Sequence, residues 1–138
     1  MSKIIQMKDS QGENIYPLEI IESGTSSNGT YIKYADGTMI QTKSLTTTFK
    51  FLVWYGQIAY QEWNLGNWIV PFVDNKPIFF VSDHIRWNNN YNNQGWMTNA
   101  GNFNYSNAGV ARCVRPADDG LNINFNVTIT RTCFGYWK

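Results

Sequence analysis

Charge is what this chain is short of. Of its 138 residues only 15% are Asp, Glu, Lys or Arg, against about a quarter in ordinary soluble domains. Lys and Glu, good helix formers, are scarce, and Asn, Thr, Ser and Gly take their place. Long helices are disfavoured, and with aromatics at 16% the composition suits strands joined by polar turns. Net charge is +1 and no Lys/Arg run occurs, so the basic patch that supplies most nucleic-acid affinity is missing. No stretch reaches the ~18 apolar residues of a membrane span. The opening Met1 to Asp9 has neither a long apolar region nor a small-residue cleavage site, so we expect synthesis in a bacterial cytoplasm without a signal peptide.

Histidine is almost absent as well. A single one, His84, excludes a His-based metal site and leaves a Ser-His-Asp triad only one base. No G-x-S-x-G elbow and no phosphate-binding glycine loop exist. Glu62 and Asp83 could form a glycosidase pair, but they are two of ten scattered carboxylates, and sequence does not give their separation. The expectation is a protein that binds without catalysis, cofactor or metal. Cys113 and Cys133 are the two cysteines, too few for a disulfide framework or a Cys-rich zinc site. They read either as buried reduced hydrophobes or as one bridge between neighbouring strands formed in an oxidising setting.

What is present is strand pattern. The length fits one domain with its own core. An extended arm runs through Ile21, with Pro17 placing it at an edge or in a linker. Glu22 to Thr30 reads as a flexible polar joint, so we divide the chain into arm and linker, 1–26, and a β-domain, 27–138. Tyr31 to Tyr34 and Met39 to Lys43 flank Asp36-Gly37, the strongest short-range hairpin signal. Further strands are expected through Phe49, Phe51 and Val53, over Gly56 to Trp63, over Trp68 to Phe72 and over Pro77 to Val81. The last is apolar throughout, as in a strand covered on both faces. Leu121, Ile123, Phe125, Val127 and Ile129 alternate with Asn and Thr, the period of a half-buried strand. Arg131 falls on the apolar phase and is expected at the sheet's end or beside a carboxylate. Strands without intervening helices predict an all-β antiparallel sandwich.

Residues 87 to 107 read as a long polar-aromatic loop, and such loops in compact domains are usually either functional or disordered. Saccharides are held by an aromatic ring against their C–H face, with amides, carboxylates and Arg meeting the hydroxyls. Asp83, His84, Arg86, Trp87, Asn90, Tyr91, Asn92, Trp96 and Tyr105 offer those groups and form the candidate ligand-binding set. The same composition also suits a contact between chains. Trp54, Trp63 and Trp68 read as strand-borne core or interface aromatics, and Trp137 as closing the sandwich edge. The Asn and Thr face of 122 to 130 is too even for a site and reads as facing solvent or neighbouring protomers.

Ser27-Asn28-Gly29-Thr30-Tyr31-Ile32-Lys33-Tyr34-Ala35-Asp36-Gly37-Thr38-Met39-Ile40 resembles the opening pattern "NG-x-YIKF-x-DGT-x-I" of C-terminal receptor-binding domains in phage and prophage tail-fibre or baseplate proteins. Tyr55-Gly56-Gln57-Ile58 is similar to that family's aromatic-Gly segment. Trp68 to Phe72 with Pro77 resembles its "wP-x-x-F-x-x-x-P" strand. Phe134-Gly135-Tyr136-Trp137-Lys138 resembles its "aIGrWK" terminus, with departures at Phe134 and Tyr136. The likeness runs from about residue 27 to the C-terminus, without counterpart over 83 to 112. It implies a lectin-like sandwich (jelly-roll, akin to H-type lectins) and a homotrimer at a virion tail tip. It further implies recognition of a bacterial cell-surface glycan or teichoic acid, contacts with other tail proteins and no membrane insertion. The alternative is a structural component that trimerises and caps a fibre without touching a receptor. Gly109 to Pro116 also echoes the "GFRCVR" ending of formylglycine-generating and C-type-lectin-like modules; there the motif closes the chain, whereas here a long strand pattern follows.

Overall fold

Two twelve-residue strands, Phe125–Tyr136 and Thr38–Phe49, pair along their whole length, and the rest is arranged about them. The computed structural model describes residues 7–8, 11–12, 14–15, 19–51, 53–88, 95–99, 103–116 and 123–138. The strands are β1 (Met7–Lys8), β2 (Asn14–Ile15), β3 (Ile20–Ser26), β4 (Gly29–Tyr34) and β5 (Thr38–Phe49). Then come β6 (Val53–Tyr55), β7 (Ile58–Asn64), β8 (Phe80–Trp87), β9 (Trp96–Asn99), β10 (Val110–Pro116) and β11 (Phe125–Tyr136). Among the described residues no helix occurs. One sheet has the order β3-β4-β5-β11-β8 and the other β6-β7-β10-β9, while β1 and β2 form a small separate ladder. All pairings are antiparallel. The fold is an antiparallel β-sandwich.

The core lies between the two sheets. From the five-stranded sheet Met39, Phe49, Phe125, Val127, Ile129 and Cys133 point inward; Ala59, Trp63, Ala111 and Cys113 meet them from the other. Phe49 stands edge-on to Phe51 and Trp63 at 4.9 and 4.8 Å between ring centroids, and Phe51 is 5.6 Å from Phe125. Such edge-to-face pairs add to the burial energy of the rings. The Asp-Gly hairpin forms between β4 and β5. Asp36 Oδ1 accepts from the Thr38 amide at 2.8 Å and from its hydroxyl at 2.6 Å, and Gly37 takes a positive φ of 93°.

Four local expectations are corrected. Glu22 to Thr30 is strand and tight turn, β3 paired with β4 around Ser27-Asn28, rather than a joint. Its glycines mark close approach instead of flexibility: a Cβ on Gly24 would sit 2.4 Å from the Tyr31 ring, and one on Gly29 2.0 Å from the Thr42 carbonyl oxygen. With Gly24 under it, Tyr31 reaches across to donate to Glu22 at 2.7 Å, and Lys33 donates to the same carboxylate at 3.0 Å. These bonds hold the Glu22 carboxyl below its usual range and push the Tyr31 phenol up. Trp68 to Phe72 forms no strand; its amides bond singly, Trp68 to Ser106 and Phe72 to Tyr105, so the rings are buried on irregular backbone. Pro77 to Val81 is not covered on both faces, since β8 begins only at Phe80 and Phe79 and Phe80 are 51% and 58% exposed. The segment 87–107 is no continuous loop, because β9 lies within it and pairs with β10.

Cys113 and Cys133 are free thiols, both buried. Burial pushes each thiol up to about 12. At pH 8 only roughly one thiol in ten thousand would then be ionised. The native protein is therefore expected to resist iodoacetamide at pH 8 and to alkylate at both positions once denatured, as read by intact mass. Rapid labelling of the folded protein would contradict the burial.

Candidate ligand-binding site

The outer face of the four-stranded sheet gathers exposed aromatics around an ion pair. Period-two alternation sorts β7 and β10: Ala59, Trp63, Ala111 and Cys113 are buried in the core, which turns Ile58, Tyr60, Glu62, Arg112 and Val114 outward. Register then lays these in rows across the strands. Trp96 opposes Val114, which opposes Tyr60; Thr98 opposes Arg112, which opposes Glu62; and Pro116 opposes Ile58, which opposes Tyr55. Tyr55 is 82% exposed and Trp96 56%. A shallow cavity of about 350 Å³ is lined by Tyr55, Ile58, Tyr60, Arg112 and Val114.

At its centre Arg112 Nε donates to Glu62 Oε1 at 2.7 Å, and Arg112 Nη2 donates to the same oxygen. The guanidinium also lies over the Tyr60 ring, 5.3 Å from its centroid. Ring and ion pair fix the Arg side chain while both charged groups stay accessible to solvent. The arrangement supplies flat apolar faces, a fork of N–H donors and a carboxylate acceptor within one patch, which is what a saccharide ring requires.

The described residues expected from sequence are distributed over three surfaces and the core. Asp83, His84, Arg86 and Trp87 all lie on β8, and alternation splits them. His84 and Arg86 are exposed on the outer face of the five-stranded sheet, opposite Thr130 and Thr128. Asp83 and Trp87 turn inward: Asp83 receives Arg131 Nε and Nη2, each at 2.6 Å, and Trp87 packs on Phe125 at 5.4 Å. Trp96 belongs to the aromatic face of the other sheet. Tyr105 is exposed on the 103–107 segment, where Asn104 Oδ1 accepts from the Ser106 and Asn107 amides. Asn90, Tyr91 and Asn92 lie outside the described residues. Sequence reasoning passed over Tyr55, Tyr60 and Arg112. The signal was available in Ile58, Tyr60 and Glu62, which share the phase opposite to buried Ala59 and Trp63.

No family model and no curated protein matches the chain. Two solved structures are similar to it. One is the P. aeruginosa R1 pyocin fibre comprising C-terminal residues 323–701, at 13% identity and a TM-score of 0.55, covering 83% of this chain and 28% of that one. The other is an N-truncated R1-type pyocin tail fibre, at 13% identity and a TM-score of 0.54, covering 84% of this chain and 87% of that one. The likeness is one of fold. This chain thus spans little more than a quarter of the first fibre fragment, and at such identity no residue role is carried over.

Proposed function

We propose that this sandwich is a receptor-recognition domain of a phage or prophage tail, acting at the tail tip of the virion as a homotrimer. It binds a bacterial cell-surface saccharide, a glycan or teichoic acid, without catalysis. The observation that carries the reading is the aromatic face of Tyr55, Tyr60 and Trp96 around the Arg112–Glu62 pair. Support for the setting comes from the fold likeness to pieces of pyocin tail fibres. A shallow site of this kind gives weak single contacts, and three copies on one fibre raise the overall affinity without any new contact.

A second reading, a structural fibre component with no receptor contact, draws on a different patch. Phe79 and Phe80 are exposed, and Phe79 lies 5.5 Å from Phe134 and 5.0 Å from Tyr136. An exposed aromatic cluster of this kind suits contact with another protein.

A glycan array that includes cell-wall polymers, probed with the native oligomer, separates the two. Selective binding is expected, and Tyr55→Ala or Trp96→Ala should weaken it by roughly tenfold through lost stacking. Arg112→Gln should weaken it as well. A folded oligomer that binds neither any glycan nor candidate host cells would remove the recognition reading and leave the structural one.

A further inference from the structure

β5 outruns its neighbour on one side. β4 pairs with it only over Met39 to Lys43, whereas β11 stays paired as far as Phe49. Beyond Lys43 this edge makes one main-chain bond among the described residues, from the Ser44 amide to the Asn28 carbonyl at 2.7 Å. Backbone groups of a strand point alternately to its two sides, so Thr46, two residues on, directs its N–H and C=O to the same open side. The space there is a cavity of about 490 Å³ between the Ser27-Asn28 turn, β5 and the Leu65-Gly66 corner.

A lone cation lines it. Lys43 is half-buried, and its ammonium has no hydrogen bond or ion pair among the described residues. None of the lining residues is acidic. The register puts Lys43 beside Arg131 and Arg131 beside Asp83, so the carboxylate in that row lies on the far side of a second cation and is taken by it. A cation with no counter-charge beside it is free to pair with an incoming anion. The Thr46 amide and the Asn28 side-chain amide line the same cavity and offer N–H donors to oxygen atoms, while the Ser44 and Thr46 hydroxyls turn to the other face of β5 and bond Thr130 and Thr128.

From this geometry we infer that the cavity at the open edge of β5 is an anion subsite, in which Lys43 holds the carboxylate or phosphate of an acidic saccharide. It shares no lining residue with the aromatic face of the other sheet. It depends on the saccharide reading above only for the nature of the ligand that carries the anion.

The test is an amide-resolved NMR titration of the full chain with methyl glucuronide and with glycerol 3-phosphate. Methyl glucoside and glycerol serve as neutral controls. Saturable shifts of the Ser44, Thr46 and Gly66 amides are expected with the acidic probes and not with the neutral ones. A response to glucuronide alone or to glycerol phosphate alone identifies which anion the subsite takes. The shifts should vanish in Lys43→Met, persist in Lys43→Arg and weaken in the unaltered protein as sodium chloride is added. Equal shifts with the neutral probes, no shift with either acid, or shifts indifferent to salt or to Lys43→Met in a folded variant would each overturn the assignment. Trp96→Ala should leave these shifts in place, so loss of array binding with an intact anion response would count against the aromatic site alone.

Discussion

Asp83→Asn is expected to lower the unfolding free energy by about 3–5 kcal/mol, the range found when one partner of a buried ion pair is removed. Arg131 is fully buried, and its cation is balanced by the Asp83 carboxylate through two bonds of 2.6 Å. Two further donors are also used. Nη1 donates to the Ala108 carbonyl and Nη2 to that of Val110 at 3.1 Å, while the guanidinium lies 5.9 Å from the Phe103 ring centroid. Asn nearly preserves the volume but leaves the cation uncompensated inside the sandwich. Against a total stability of about 5–15 kcal/mol for an ordinary domain, that loss is large. Arg131→Met should cost a similar amount, because it strands the Asp83 carboxylate and frees the buried Ala108 carbonyl and the partly buried one of Val110. The double variant Asp83→Leu, Arg131→Met should recover part of the loss, since an apolar pair leaves no buried charge. Urea denaturation midpoints at constant slope measure this directly. An Asp83→Asn protein within ~0.5 kcal/mol of the parent would mean that the pair does not hold the fold.

The same network ties structure to the candidate site. Arg131 stands on β11 of one sheet, and the carbonyls it holds belong to Ala108 and Val110, where β10 of the other sheet begins. β10 presents Arg112 and Val114 to the aromatic face. Loosening the clamp should therefore blur the site before the protein unfolds.

How far this was legible in the sequence depends on how local each signal is. The alternation from Phe125 to Ile129 and the Asp36-Gly37 turn are local, and both elements formed. Arg131 on the apolar phase announced a need for a carboxylate, and Asp83 meets it. The position was not legible: Asp83 lies 48 residues away and arrives only through the β11–β8 register, in mid-strand rather than at an end. Gly24 and Gly29 looked like a flexible joint because sequence does not distinguish a glycine that bends from one that makes room. In Trp68 to Phe72 the apolar run was legible and its backbone was not, because its partners sit on the distant Tyr105 and Ser106. The candidate site has the same character. Arg112 and Glu62 are 50 positions apart and adjacent only through the β10–β7 pairing. The density of Asn and aromatics after position 87 drew attention to a stretch of chain, whereas a binding face on a sheet is assembled from alternate residues of several strands.

Trp87 and Trp96, close in sequence and alike in chemistry, are expected to behave oppositely. Trp87 is half-buried and packs on Phe125 at 5.4 Å and Phe49 at 6.5 Å. Truncating it opens a cavity against the aromatic core, and Trp87→Ala should cost about 2–4 kcal/mol, somewhat less than for a fully buried ring. Trp96 exposes more than half its surface on the outer face of β9. Trp96→Ala should leave stability within ~0.5 kcal/mol of the parent, as exposed substitutions do. For saccharide binding the order reverses: Trp96→Ala loses affinity at an unchanged denaturation midpoint, whereas Trp87→Ala, assayed where it remains folded, keeps it. Denaturation and binding measured on the same two preparations decide the matter. Should Trp87→Ala keep its midpoint and lose its ligand, the binding surface would belong to the end of β8, and the aromatic face of the other sheet would be surface without a role in recognition.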